Sequence, residues 1–169
     1  MDVPYADLEI CLRLGLAVMG GAVVGWNRQR KRHPAGLRTM MLVSLGSAAF
    51  MVAGAAMATS NGVTSPVGDR SRVLQGIVGG IGFLGAGTII RSYGEVKGVT
   101  TAAAIWVVAA IGSAFGLGLY VLGGASVGLT MLILWLSPLE SAVFKHGQKA
   151  RGMDRPKSPE EDGNNSGYG

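Results

Sequence analysis

Val99 to Leu139 reads VTTAAAIWVVAAIGSAFGLGLYVLGGASVGLTMLILWLSPL, a run of 41 residues without Asp, Glu, Lys or Arg. A transmembrane helix needs only ~20 consecutive apolar residues, so this stretch is long enough for two. One straight helix from Val99 to Leu136 would be ~57 Å long, about twice the ~30 Å thickness of a bilayer core. We therefore predict two helices separated by a turn at Gly116-Leu117-Gly118.

The composition of the whole chain agrees with a membrane protein. Hydrophobic residues make up 49% of the chain and charged residues 15%. Glycine occupies 28 of the 169 positions, far more than the usual ~7%. A water-soluble globular protein is excluded by this balance. With the single cysteine Cys11 and two isolated histidines, His33 and His146, one chain has no means of forming a disulfide or a Cys/His metal site, and we expect no cofactor.

Five apolar segments of 18 or 19 residues divide the chain. Their length is close to what a helix needs to cross a bilayer. We predict an all-α integral membrane protein with five transmembrane helices: Leu8–Trp26, Met40–Ala58, Val73–Ile90, Val99–Gly116 and Leu119–Leu136.

The positions of the Lys and Arg residues predict the orientation. Twelve lie in the first loop, the third loop and the C-terminal tail, whereas the second loop region has only Arg70 and Arg72. Basic residues favour the cytoplasmic side, so we predict an outside N-terminus and a cytoplasmic C-terminus. Trp26 and Trp135 then both fall at the cytoplasmic interface, where indoles are enriched. This distribution explains the net charge of +5 by contact with the lipid bilayer, without a nucleic-acid partner.

The C-terminal segment differs from the rest of the chain. Residues 147–169 contain no Leu, Ile, Val or Phe, and such a segment has too little apolar surface to fold. We predict a transmembrane domain over residues 1–139 and a polar, disordered cytoplasmic tail over residues 140–169.

Glycines indicate how the helices pack. Helices in lipid associate through close backbone approach, which small residues allow. We expect the third span to be the packing centre, because it contains a series of glycines: Gly76, Gly80, Gly82, Gly85 and Gly87. The spacing Gly80-x-Gly82-x-x-Gly85 also matches a dinucleotide-binding fingerprint, but no strand precedes it and no acid follows about twenty residues on, so we reject that interpretation.

Three ordered motifs carry a family resemblance. The first is Pro34–Thr39 followed by Leu42–Gly46, the second is Gly80–Gly87, and the third is Lys97–Ala103 with Trp106 and Ala109–Gly112. Together they resemble the MgtC/SapB family of bacterial inner-membrane proteins, over about residues 10 to 136.

The resemblance implies a multi-pass protein of the bacterial inner (plasma) membrane, linked to magnesium homeostasis. Family members are described as accessories of magnesium transport and as regulators that bind the proton-translocating ATP synthase. This chain has Asn27 where the family often has Glu, and Met40 where it often has His; both replacements remove groups that could hold a cation in the first loop. Longer relatives carry an ACT-like cytoplasmic domain, which we do not expect in the short tail here.

Ionisable residues at membrane depth are costly and therefore candidates for function. Arg13 lies within the first span, four residues after Glu9. One interpretation is a local ion pair of Arg13 with Glu9, the arginine snorkelling to the interface. The alternative is an outer cluster of Glu9 and Arg13 with residues near the start of the third span: Asp69, Arg72 and Gln75.

A second candidate cluster lies on the predicted cytoplasmic side. It comprises Arg38, Thr39, Arg91, Glu95, Lys97, Thr100 and Thr101. Thr100 and Thr101 could cap the fourth helix; alternatively, Arg38 and Lys97 form a basic mouth for anionic lipid or a partner protein. We interpret Arg28 to Arg32 as an orientation signal that contacts lipid headgroups.

Three function classes remain. The preferred one is a regulatory protein that contacts other membrane proteins through its glycine-rich faces. The alternative is a transporter of magnesium or another cation. Such a cation needs several oxygen ligands, usually carboxylates, and no predicted span has an acid near its middle; backbone carbonyls exposed by a broken third helix, or a homo-oligomer, could add ligands. The third is an enzyme, which we do not expect, because no catalytic constellation appears. The metal ligands, if any, are not predicted.

Overall fold

Five α-helices and one β-hairpin follow one another along the chain. They are α1 (Asp7–Arg30), α2 (Leu37–Ser60), α3 (Pro66–Gly87), β1 (Ile90–Ser92), β2 (Glu95–Lys97), α4 (Val99–Gly116) and α5 (Tyr120–Gly152). The structure is a computed structural model, and it describes the backbone of residues 7–60, 66–92 and 95–152. It also describes the side chains of these residues, except those of residues 58–60, 66–69, 91, 92, 95 and 137–152. Each predicted span therefore overlaps a helix, although the third span was extended too far: α3 ends at Gly87, and Ile90 belongs to β1.

Three of the described helices are long and apolar enough to cross a membrane. They are Asp7–Arg30, Leu37–Met57 and Val99–Gly116. The apolar part of α5, Tyr120–Leu136, is shorter, and α3 carries Arg70 and Arg72 near its N-terminus. The membrane character predicted from the sequence is thus confirmed, while the count of five spans and their orientation stay predictions.

Helices α1, α2 and α4 form the centre of the bundle, and each packs against the other two. The buried face of α2 that carries Met40 and Ser44 lies between the other two helices. A Cβ atom on Gly21 of α1 would lie 2.6 Å from the Met40 carbonyl oxygen, and one on Gly112 of α4 would overlap the carbonyl of Ser44. The Ser44 hydroxyl donates a hydrogen bond to the Ala17 carbonyl oxygen at 2.7 Å. Helices α1 and α4 therefore both contact α2 closely at Ser44.

The glycines of α3 do not make the close approaches that the sequence led us to expect. A Cβ atom on Gly76, Gly80, Gly82 or Gly87 would meet no described atom within 4 Å outside its own helix backbone, and one on Gly85 would only touch Ala102. α3 packs against α2 and α4, but these glycines do not form the close contacts between the helices. The prediction that α3 is the packing centre is wrong for contacts within one chain, because glycines permit close approach without determining which helix makes it.

A short antiparallel hairpin connects α3 to α4. Its register pairs Ile90 with Lys97, Arg91 with Val96 and Ser92 with Glu95. This hairpin was not predicted from the sequence, because strands of three residues are too short to show an alternating pattern of apolar and polar residues.

Gly98 joins the hairpin to α4. Its φ is +92°, and a Cβ atom there would overlap the carbonyl oxygen of Thr88. Glycine adopts this left-handed conformation at no steric cost, so Gly98 fixes where α4 begins.

The turn between α4 and α5 lies where the sequence predicted it. α4 ends at Gly116, and Gly118 has a φ of +79°. α5 packs on the bundle through its first half: a Cβ atom on Gly20 would lie 3.2 Å from Val127, and one on Gly123 would lie 2.8 Å from the Phe115 ring.

The end of α5 corrects one expectation. The helix continues to Gly152, so the tail that we expected to be disordered from residue 140 is helical over its first part. This part contains helix-forming residues such as Glu140, Ala142 and Lys145. Residues up to Leu134 belong to one compact unit and those from Trp135 onward to a second; residues 153–169 lie outside the described part.

Candidate functional sites at the two ends of helix α1

Arg13 is buried beneath the turn between α4 and α5. Its side chain is about 5% exposed. Nη2 lies 2.6 Å from the Glu9 carboxylate, and Nη1 donates to the Gly116 carbonyl oxygen at 2.9 Å. A Cβ atom on Gly118 would lie only 2.8 Å from Nη2 of Arg13. The guanidinium thus joins an acid of its own helix to the end of α4.

This geometry includes the predicted local pair of Glu9 and Arg13. It differs from the snorkelling anchor, because the arginine is enclosed by the protein. The predicted outer cluster is not assembled by the described side chains: Arg72 and Gln75 are exposed. The side chain of Asp69 lies outside the described residues, so its pairing with Arg13 stays a prediction.

Arg28 is buried at the opposite end of α1, with 2% of its surface exposed. Its Nη2 donates to the Thr101 hydroxyl of α4 at 2.5 Å, and its Nε is buried without a hydrogen-bond partner. The sequence analysis treated Arg28 as one member of an exposed basic run. The signal that could have identified it is its helical spacing from Ala17, Gly21 and Val24, which are all buried on the same face.

Other basic groups lie near Arg28. Lys31 Nζ donates to the Leu134 carbonyl oxygen of α5 at 2.9 Å. Desolvation, followed by the positive charges of Arg28 and Lys31, lowers the pKa of the His33 imidazole below its usual value. His33 is therefore neutral at pH 7, and the electrostatic field at this end of the bundle is positive.

The structure separates the members of the predicted cytoplasmic cluster. Thr101 is buried and bonded to Arg28, whereas Arg38, Thr39, Lys97 and Thr100 are exposed. Neither threonine caps α4, because the N-cap position is occupied by Gly98, which has no side chain that could accept a hydrogen bond from the first turn. The side chains of the remaining members, Arg91 and Glu95, lie outside the described residues.

An apolar groove runs between α2 and α3. Its volume is about 620 Å³, and its lining includes Leu42, Phe50 and Leu84 together with the open glycines Gly76 and Gly80. Leu42 and Phe50 are each about two-thirds exposed. Within the described residues, His, Cys, Asp and Glu do not gather in any group of three or more that could hold a metal ion.

Comparison with known proteins gives consistent matches. The sequence profile of the MgtC family matches residues 14–141. Protein SrpB of Synechococcus elongatus is 41% identical over 141 residues, which cover 78% of this chain and 77% of the relative. The putative magnesium transporter YhiD of Escherichia coli is 41% identical over 127 residues, or 75% of this chain and 59% of the relative.

Protein MgtC of Salmonella typhimurium is 44% identical over 107 residues, which cover 63% of this chain and 43% of the relative. The chain thus spans less than two thirds of YhiD and less than half of MgtC. No solved structure matches the chain.

Proposed function

Because the chain belongs to the MgtC family, we propose that it serves magnesium homeostasis by regulatory contacts with other proteins of a bacterial plasma membrane. The proton-translocating ATP synthase is the partner that the family resemblance implies. The proposal includes five spans, an outside N-terminus and no enzymatic activity.

The observation that carries this proposal is the open face of α3 beside the α2–α3 groove. Gly76 and Gly80 border the groove, and a Cβ atom added to either would meet no described atom within 4 Å outside its own helix backbone. Small residues let a partner helix come close in lipid, where close packing stabilises association. The face supports contact with another transmembrane helix, either of a different protein or of a second copy of this chain.

The open glycines provide a test that separates function from folding. Gly80→Leu should fold normally, since a Cβ atom at this position would meet no described atom within 4 Å outside its own helix backbone, but should fail to support growth at low magnesium because it blocks the partner helix. Gly128→Leu on α5 is the matched control, because Gly128 is equally open but lies outside the groove. If both variants support growth like the wild type, the groove is not the interaction surface.

The proposed orientation has its own test. A reporter that is active only in the cytoplasm should be active when fused after Gly147 and inactive when fused at Asn61. The reverse pattern would place both ends of α1 on the opposite sides of the membrane from those proposed.

Cation transport is the second candidate function, favoured by the name of the Escherichia coli relative, a putative magnesium transporter. Against it, the charged side chains buried within the described bundle are Arg13 and Arg28, whose positive charge repels Mg²⁺ from the interior. Magnesium uptake into liposomes that contain only the purified protein decides between the two. Uptake above that of protein-free liposomes would replace the regulatory proposal with transport.

A further inference from the structure

Arg28 is a buried cation whose charge is not neutralised by any described side chain. The salt bridge formed among the described residues joins Arg13 to Glu9 at the other end of α1. A guanidinium has five N–H donors, yet Arg28 makes one side-chain hydrogen bond, to the neutral hydroxyl of Thr101, and its Nε has no partner. Burying such a charge without a counter-charge is unfavourable, and the described residues supply no anion for it.

The N-terminus of α4 lies at the same place. Thr101 belongs to the first turn of this helix of 18 residues, which begins at Val99. The first N–H groups of any helix have no intrahelical acceptor, and they carry the positive end of the helix dipole. Here no side chain caps them, because Gly98 occupies the N-cap. A helix end with these properties binds anions, and Arg28 is held against it.

The charged side chains that the structure describes near this helix end are basic, and the helix end is open on one side. Lys31 lies near Arg28, and Lys97 directly precedes Gly98. Val99 and Thr100 are exposed, so a ligand can reach the helix end from the surface while Arg28 lies behind it. Desolvation is the main cause of the lowered pKa of His33, and the positive charges of Arg28 and Lys31 lower it further.

We propose that the first turn of α4, together with Arg28 and the hydroxyl groups of Thr100 and Thr101, binds a phosphate group. A phosphate carries the missing negative charge and has enough acceptor oxygens for several N–H and O–H donors at once. The same chemistry is presented by the headgroup of an anionic phospholipid and by soluble phosphate. This inference is independent of the regulatory role, since it concerns another part of the molecule than the α2–α3 groove.

The test measures thermal unfolding of the full-length protein in neutral detergent, followed by tryptophan fluorescence. In one arm, inorganic phosphate replaces chloride at constant ionic strength. In the other, phosphatidylglycerol is compared with phosphatidylcholine. A ligand that binds the folded state raises the Tm, so we expect a rise of several degrees for the wild type and none for Arg28→Gln. Arg30→Gln is the matched control, because it removes the same charge from an exposed position at the same end of α1.

The outcomes are distinct. A rise with inorganic phosphate identifies a soluble ligand, and a rise with phosphatidylglycerol alone identifies a lipid headgroup. No rise in either arm, or an equal rise in the wild type and Arg28→Gln, overturns the proposal. If Arg28→Gln does not fold, Thr101→Val decides: we expect it to weaken the apparent affinity at least threefold, and an unchanged affinity would refute the site.

Discussion

The two buried arginines of α1 are the same side chain in the same helix, about four turns apart, but they are satisfied in different ways. Arg13 has an acid one turn before it and a carbonyl acceptor at the α4–α5 turn. Arg28 has a hydroxyl group from α4 and no described acid. Arg13 thus has a counter-charge within the chain, whereas Arg28 has none among the described side chains. Burial alone therefore does not distinguish an arginine with a structural role from one that binds a ligand. The groups that pair with the guanidinium make this distinction.

The largest effect should follow from Arg13→Met. This change removes the donor to the buried Gly116 carbonyl oxygen and the charge that faces Glu9, which should cost about 2–3 kcal/mol of unfolding free energy. Unfolding by SDS in mixed micelles measures it. A loss below about 0.5 kcal/mol would mean that Arg13 contributes no more than an ordinary surface residue.

A smaller effect at the same end is expected from Gly118→Ala. The added methyl group would lie 2.8 Å from Nη2 of Arg13, and alanine is strained at a φ of +79°, so the variant should lose about 1–2 kcal/mol. Gly124→Ala, at an open helical position of α5, is the control and should be neutral or slightly stabilising. Equal stability of the two variants would contradict the tight fit of Arg13 under the turn.

The smallest effect should come from Arg28→Met in phosphate-free buffer. Replacing a buried charge that lacks a counter-charge by an apolar side chain is often neutral, so we expect a change within about 1 kcal/mol. A loss as large as that of Arg13→Met, in the same SDS titration, would show that Arg28 is already fully satisfied within the chain.

The contacts of Arg13 could be predicted from the sequence better than those of Arg28, because its acidic partner is close in sequence. Glu9 and Arg13 are four residues apart, which places them on one helix face whatever the rest of the fold does, and the Gly116–Gly118 turn follows from the length of an apolar run. Arg28 and Thr101 are 73 positions apart, and Arg28 stands in the sequence among equally basic neighbours. Only the packing of α4 on α1 decides which of these is buried.

The glycines show the same limit. We predicted that α3 is the packing centre because it contains many glycines. The close helix approaches instead involve Gly21 of α1 and Gly112 and Gly116 of α4. These residues are effective because a carbonyl of α2 lies opposite each of them, at Met40, Ser44 and Ala48. Such pairings depend on how each helix is rotated about its axis and how far it is shifted along the membrane normal. The number of glycines in one span does not determine either quantity.

The meeting of three helices at Ser44 constrains how the protein is made. Chains emerge from the ribosome N-terminus first, and helices inserted in a membrane associate afterwards. α1 and α2 can dock as soon as both are inserted, but the other side of Ser44 must stay free for Gly112 while α3, which is synthesised earlier than α4, is already present. We therefore expect α3 to remain at the periphery until α4 arrives, and we expect a change that drew α3 onto Ser44 to slow the assembly of the native bundle.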